Sequence, residues 1–85
     1  MKIYYSSKFV REYKRLSRRV KLIAEKKEKI FRSDPFDKRL KTHKLSGRLS
    51  EFWAFSIGYK HRIIFEFKNK KVIWFHSVGT YHIYQ

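Results

Sequence analysis

The hydrophobic period of this chain changes once, and that change limits its folds more than any other feature. Phe9, Tyr13, Leu16 and Val20 recur at i, i+4, i+7 and i+11, the spacing of one helix face. Ile23, Ala24, Lys27, Ile30 and Phe31 continue a helical spacing after a break near Ser17-Arg18-Arg19. Beyond residue 51 the period is two: Trp53, Phe55 and Ile57 alternate with Phe52, Ala54 and Ser56, the two faces of a strand. A helical half followed by a stranded half predicts helices covering one face of a sheet, the α+β class.

Punctuation sets the boundaries. "KIYYS" (2–6) is short, aromatic and β-prone, a first strand, and Ser6 or Ser7 can cap the helix that follows. Two helices, or one kinked hairpin, are expected at about 7–17 and 19–32. Asp34-Pro35 stops the second, because the residue before proline is pushed out of the α region. Residues 35–50 carry no clean period. "HRIIFEF" (61–67) alternates His61, Ile63, Phe65 and Phe67 against Arg62, Ile64 and Glu66, and "KNKK" turns the chain into "VIWFHSV" (72–78). "TYHIY" (80–84) is either a last short strand or an irregular tail. The expected order is β-α-α-β-β-β(-β), an antiparallel sheet packed on two N-terminal helices with its other face open.

Eighty-five residues make one domain (1–85), small enough to need a core dense in large side chains, and eight Phe, six Tyr and two Trp supply it. No apolar run approaches a membrane span, and "MKIYYSSKF" lacks the hydrophobic stretch of a signal peptide. With no cysteine there is no disulfide framework, which is compatible with a reducing cytoplasm. The formal charge of +15 comes from 22 Lys and Arg against seven acids, most of the cations lying in residues 1–50. Such a field calls for a polyanion. Nucleic acid is the commonest, and an acidic protein or an anionic membrane surface satisfies the same charge.

Cleaving RNA through its own 2′-hydroxyl needs a base, a cation for the crowded phosphate and an acid for the leaving oxygen. Histidine suits base or acid, and arginine suits the phosphate because its planar fork stays charged. Arg62 leads an apolar strand and so has a defined place, although most outward strand arginines are merely solvated. His82 and Tyr84 lie two apart and would share a face in an extended tail. His43 sits in the basic segment "KTHKLSG", where a histidine is ordinarily just solvated. By alternation His61 shares a side with Ile63 and Phe65, consistent with the margin of the core. Lys41, Lys44, Arg48 and Lys60, with His61 and Tyr81, are candidate RNA contacts. The histidines lack H-x-x-x-H spacing and no acidic cluster accompanies them, so no metal site is expected. The runs "KRLSRRVK" and "KKEKIFR" are the polar faces of amphipathic helices, while aromatic strands offer stacking for unpaired bases.

In "HKLSG", "FWAFSIGYKHRIIFEF" and "VGTYHIYQ" the chain resembles the RelE/ParE superfamily of bacterial and archaeal toxins. It is most like the RelE, YoeB and YafQ branches, which cut mRNA on the ribosome. The resemblance implies the toxin of a type II toxin–antitoxin pair, a cytoplasmic, ribosome-dependent and metal-independent endoribonuclease with no cofactor. Arg62 would hold the scissile phosphate, His82 would be the acid, and Tyr84 or Tyr81 would stack near the cut nucleotide. His43 matches a histidine of the YafQ branch. The lysine pair of RelE is missing, replaced by Ala54 and Ser56, and the YoeB glutamate falls near Arg39, leaving Glu51 as a substitute. Implied partners are mRNA on the ribosome, ribosomal RNA and an acidic antitoxin in a hetero-oligomer, with no membrane. A ParE-like gyrase inhibitor without nuclease activity, or a non-catalytic RNA-binding module, would keep the same fold.

Overall fold

The computed structural model describes residues 1–84. Strand β1 (Lys2–Tyr5) leads into helices α1 (Ser7–Lys14) and α2 (Arg18–Ser33). The two-residue β2 (His43–Lys44) follows, then β3 (Trp53–Ile57), β4 (His61–Phe67) and β5 (Val72–Gly79). Short 3₁₀ turns occupy Lys38–Leu40, Gly47–Leu49 and Tyr81–Tyr84.

Serine hydroxyls start both helices. Ser6 Oγ accepts the Phe9 N–H at 2.9 Å, and Ser17 Oγ accepts the Val20 N–H at 3.2 Å. The second cap ends the first helix early. α1 stops at Lys14 rather than residue 17, and Leu16 falls in the link. The apolar face seen in the sequence is therefore shared by two helices, with Tyr13, Leu16 and Val20 all packed on one core. At the far end Asp34 is extended (φ −159°, ψ 105°), as Pro35 requires.

The five strands lie in the order β1-β5-β4-β3-β2. β2, β3, β4 and β5 pair antiparallel, but β1 runs parallel to β5, from Lys2 opposite Val72 to Tyr5 opposite Phe75. The sheet is thus mixed rather than wholly antiparallel. Alternation reveals which side chains share a face and is blind to strand direction. β2 pairs His43 with Ala54 and Lys44 with Trp53, inside the segment without a visible period; two residues are too few to show one. "TYHIY" is a 3₁₀ turn, not a strand. Both sides of β5 are already paired, so the chain that leaves it has no adjacent edge to join.

Between sheet and helices, Phe31 of α2 is fully buried. Its ring stacks on Phe55 (4.8 Å between centroids) and meets Phe65 (4.9 Å) and Phe75 (5.4 Å) edge-on. β5 contains a bulge, with Ile64 opposite Ser77 but Phe65 opposite Phe75. α1 holds that irregularity in place. Glu12 Oε1 accepts the Val78 N–H (3.1 Å), Lys8 Nζ donates to Ser77 Oγ (3.0 Å), and Ser6 Oγ donates to the His76 carbonyl (2.8 Å).

Phe31→Ala should destabilise the protein by about 3–5 kcal/mol, the usual cost of emptying an aromatic site in a close-packed core. Urea unfolding followed by far-UV circular dichroism measures it, and Phe31→Leu should lose distinctly less.

Candidate nucleic-acid interface

Cross-strand partners project to the same side of a sheet, so register alone decides which candidates can meet. Ser56 lies opposite Arg62, Ala54 opposite Ile64, and His43 opposite Ala54. His43 and Arg62 therefore stand on the face away from the helices. Arg62 also lies opposite Gly79, the end of β5, from which Thr80 and the 3₁₀ turn follow. A 3₁₀ turn repeats every three residues, which brings Tyr81 and Tyr84 to one side. The extended-tail geometry expected for His82 and Tyr84 is thus replaced by a turn, and the turn still delivers both to the same place.

The result is a basin of about 660 Å³ lined by His43, Tyr59, Lys60, Arg62, Thr80, Tyr81, His82 and Tyr84. A second recess of about 420 Å³ adjoins it, sharing His43 and Tyr84 and adding Lys44, Leu45, Ser46 and Leu49. Arg62 Nη1 donates to the carbonyls of His61 (2.9 Å) and Tyr59 (3.4 Å), which fixes the side chain. Among the described residues no carboxylate pairs with it. A guanidinium held by carbonyls keeps its full charge for an incoming anion.

His43 Nδ1 lies 3.0 Å from the Lys41 carbonyl oxygen. A carbonyl only accepts, so in the neutral ring the proton sits on Nδ1 and Nε2 carries the free lone pair. Lys41 itself is left-handed (φ 53°, ψ 40°), the one described non-glycine residue with positive φ. That local cost turns its carbonyl onto the imidazole. Burial raises the Tyr84 phenol above its usual range, and the Arg62 charge pulls the other way. At neutral pH Tyr84 is a hydrogen-bond donor and a stacking surface, not a base.

The remaining candidates divide. Lys60 and Tyr81 line the basin, and Lys44 lines the adjoining recess. Lys41 and Arg48 are exposed nearby without lining either. His61 alternates to the helix side and borders a crevice with Ser17, Arg19, Val20 and Ile23, so it does not join Arg62. Glu51 is exposed in the turn before β3 and lines no part of the basin. Near Arg39, Asp37 is the nearest carboxylate. Arg39 hydrogen bonds hold it at about 2, too acidic to serve well as a base at neutral pH. The sequence did not mark Tyr59, in the "GYK" turn, or Thr80, just past the end of β5; only the folded sheet brings them to the basin.

A mixed sheet backed by two helices is also the fold of solved toxins of the YafQ and YoeB type. Solved structures of that type superpose over nearly the whole chain. YafQ from E. coli strain BL21(DE3) does so with a TM-score of 0.81 at 18% identity, over 98% of this chain and 96% of that one. A YoeB/ParE toxin from Agrobacterium tumefaciens gives 0.80 at 16% identity, over 95% and 99%. YafQ in the E. coli DinJ-YafQ toxin–antitoxin complex gives 0.78 at 19%, over 96% and 93%. No family profile and no curated protein matches the chain by sequence. At these identities the likeness is one of fold.

Gly79 is where the turn is seated, since a Cβ built there would lie 2.8 Å from Ile83 Cγ2. Gly79→Ala should therefore lift Tyr81–Tyr84 away from Arg62. The Tyr84 phenol, raised by burial, should then fall toward its ordinary value in a titration followed by NMR. Adding Ile83→Ala removes the clashing methyl and should return most of the shift.

Proposed function

We propose that this protein is the toxin of a type II toxin–antitoxin pair and acts as a ribosome-dependent, metal-independent mRNA endoribonuclease. The observation that carries this reading is the convergence of His43, Arg62, His82 and Tyr84 on one open basin of a chain with a charge of +15. In the proposed reaction His43 Nε2 takes the 2′-hydroxyl proton, and the 2′-oxygen attacks the adjacent phosphorus. Arg62 offsets the charge that builds on the phosphoryl oxygens. His82 gives its proton to the departing 5′-oxygen, leaving a 2′,3′-cyclic phosphate and a 5′-hydroxyl. Tyr84, kept protonated, donates to or stacks on the nucleotide, with Tyr81 beside it.

The helices support a ribosomal setting. Arg18 and Arg19 begin α2, where the helix dipole disfavours cations, and that first turn contains no acid. Keeping charge where it opposes folding makes sense if a phosphate backbone uses it. The same surface would attract an acidic antitoxin, and a solved structure with this fold is that of the E. coli DinJ-YafQ toxin–antitoxin complex. Action on translating ribosomes would put the protein in the cytoplasm.

Inducible expression with mapping of mRNA 5′ ends tests the reading. Cuts should appear only in translated messages. His43→Ala and His82→Ala should each slow cleavage by about 10²–10⁴-fold, and Arg62→Ala by about 10²–10³-fold. Growth arrest with intact message and a DNA-damage response would instead establish a gyrase inhibitor. Ribosome binding without cleavage, unchanged by His82→Ala, would establish a non-catalytic binding module.

A further inference from the structure

We propose that the exposed β1–β5 corner of the sheet face away from the helices is a second, base-stacking subsite for single-stranded RNA, formed by Trp74 and Tyr4. It rests on the nuclease reading for the strand that continues into it from the basin. Tyr4 and Trp74 are register partners, and Trp74 is in turn opposite Glu66, so the three form one row across β1, β5 and β4. The aromatic pair is left in solvent: Tyr4 is 49% and Trp74 44% exposed. The other tryptophan, Trp53, packs against Phe36 and Phe67. Nothing in the core requires Trp74 to be an indole.

Charge at the corner selects the ligand. Lys68 Nζ lies 4.8 Å from the Trp74 ring centroid and 3.3 Å from Glu66 Oε1, so the one carboxylate in the row is already neutralised. The Lys2 N–H donates to the Lys71 carbonyl (2.7 Å), which sets Lys2 beside the same hairpin. Exposed aromatic faces among lysines suit a single strand, whose bases stack while its phosphates pair with the cations. An acidic protein segment would feel the same lysines. The negative face of an aromatic ring, however, repels a carboxylate placed over it, so Trp74 and Tyr4 would add nothing for such a partner. On binding, Lys68 would exchange the indole face for a phosphate and the base would take its place.

The corner is continuous with the basin. Arg62 and Glu66 are four residues apart on β4, about 13 Å at the rise of a strand. Between them on the same face, Phe52 and His76 stack at 4.9 Å. A strand of a few nucleotides leaving Arg62 would cross this ring pair and reach Trp74.

Anisotropy of labelled 2′-O-methyl RNA, which has no free 2′-hydroxyl and cannot be cut by this chemistry, isolates binding from catalysis. A twelve-nucleotide RNA can span basin and corner, whereas a three-nucleotide RNA fills the basin alone. Trp74→Ala should weaken the longer RNA about ten- to a hundredfold and leave the shorter one unchanged. Trp74→Phe should keep most of the affinity, and Tyr4→Ala gives a second variant should Trp74→Ala fail to fold by circular dichroism. Equal weakening on both lengths, or none on the longer, overturns the subsite. So does a loss of binding to a poly-glutamate peptide in place of the RNA. A wild-type protein that cuts no mRNA yet binds the longer RNA through Trp74 defeats the nuclease reading and leaves the subsite standing. Intact cleavage with no dependence on Trp74 does the reverse.

Discussion

The ring of Phe31 stands between α2 and three strands at once, stacked on Phe55 and edge-on to Phe65 and Phe75. Those phenylalanines come from β3, β4 and β5, so one helix residue sets how far each strand lies from the helix layer. A chain of this length has few alternative contacts with which to hold that spacing. The antiparallel meander brings Arg62 opposite both Ser56 and Gly79, and that placement persists only while the three strands keep their packing. The helix face and the basin are opposite sides of the same strands. Packing on the first fixes geometry on the second.

Three local devices then convert a regular sheet into a site. The β5 bulge, tied down by Glu12, Lys8 and Ser6, adjusts the end of the strand from which the last turn departs. Gly79 lets Ile83 close against that end, so His82 and Tyr84 fold back toward Arg62. Left-handed Lys41 turns its carbonyl onto His43 and selects the imidazole tautomer with a free Nε2. Of the three, Lys41 is the one held in a costly backbone conformation. Strain of this kind persists where surrounding packing over-determines it.

Charge follows a different logic from packing. Cations crowd both helices, including the first turn of α2, while the basin holds one arginine that no described carboxylate neutralises. Positive charge is thus spread over the helix side, while a single guanidinium held in a fixed direction stands in the basin. The two distributions act over different ranges, the first as a field over the whole surface and the second only at contact. The few acids are mostly occupied: Glu12 with Val78 and Lys8, Glu28 with Arg32, Asp37 with Arg39, Glu66 with Lys68.

By itself the sequence determined the α+β class, both helices, the three long strands and the face packed on the helices. Those properties rest on hydrophobic period, serine caps and a proline stop, all encoded within a few residues. It also carried Arg62, His43, His82 and Tyr84 as candidates through residue type and resemblance. The tertiary structure decided the rest. The sheet face away from the helices, expected to be open, buries Ala54, Ser56 and Ile64 at its centre, which alternation did not show. The parallel pairing of β1, the two-residue β2 and the final 3₁₀ turn depend on which sheet edges are free, and no local pattern records that. His61 and Arg62 adjoin in sequence yet serve opposite faces, because alternation gives two sides without saying which is the site. Tyr59 and Thr80 reach the basin through a hairpin and a strand end that meet only after the sheet has formed.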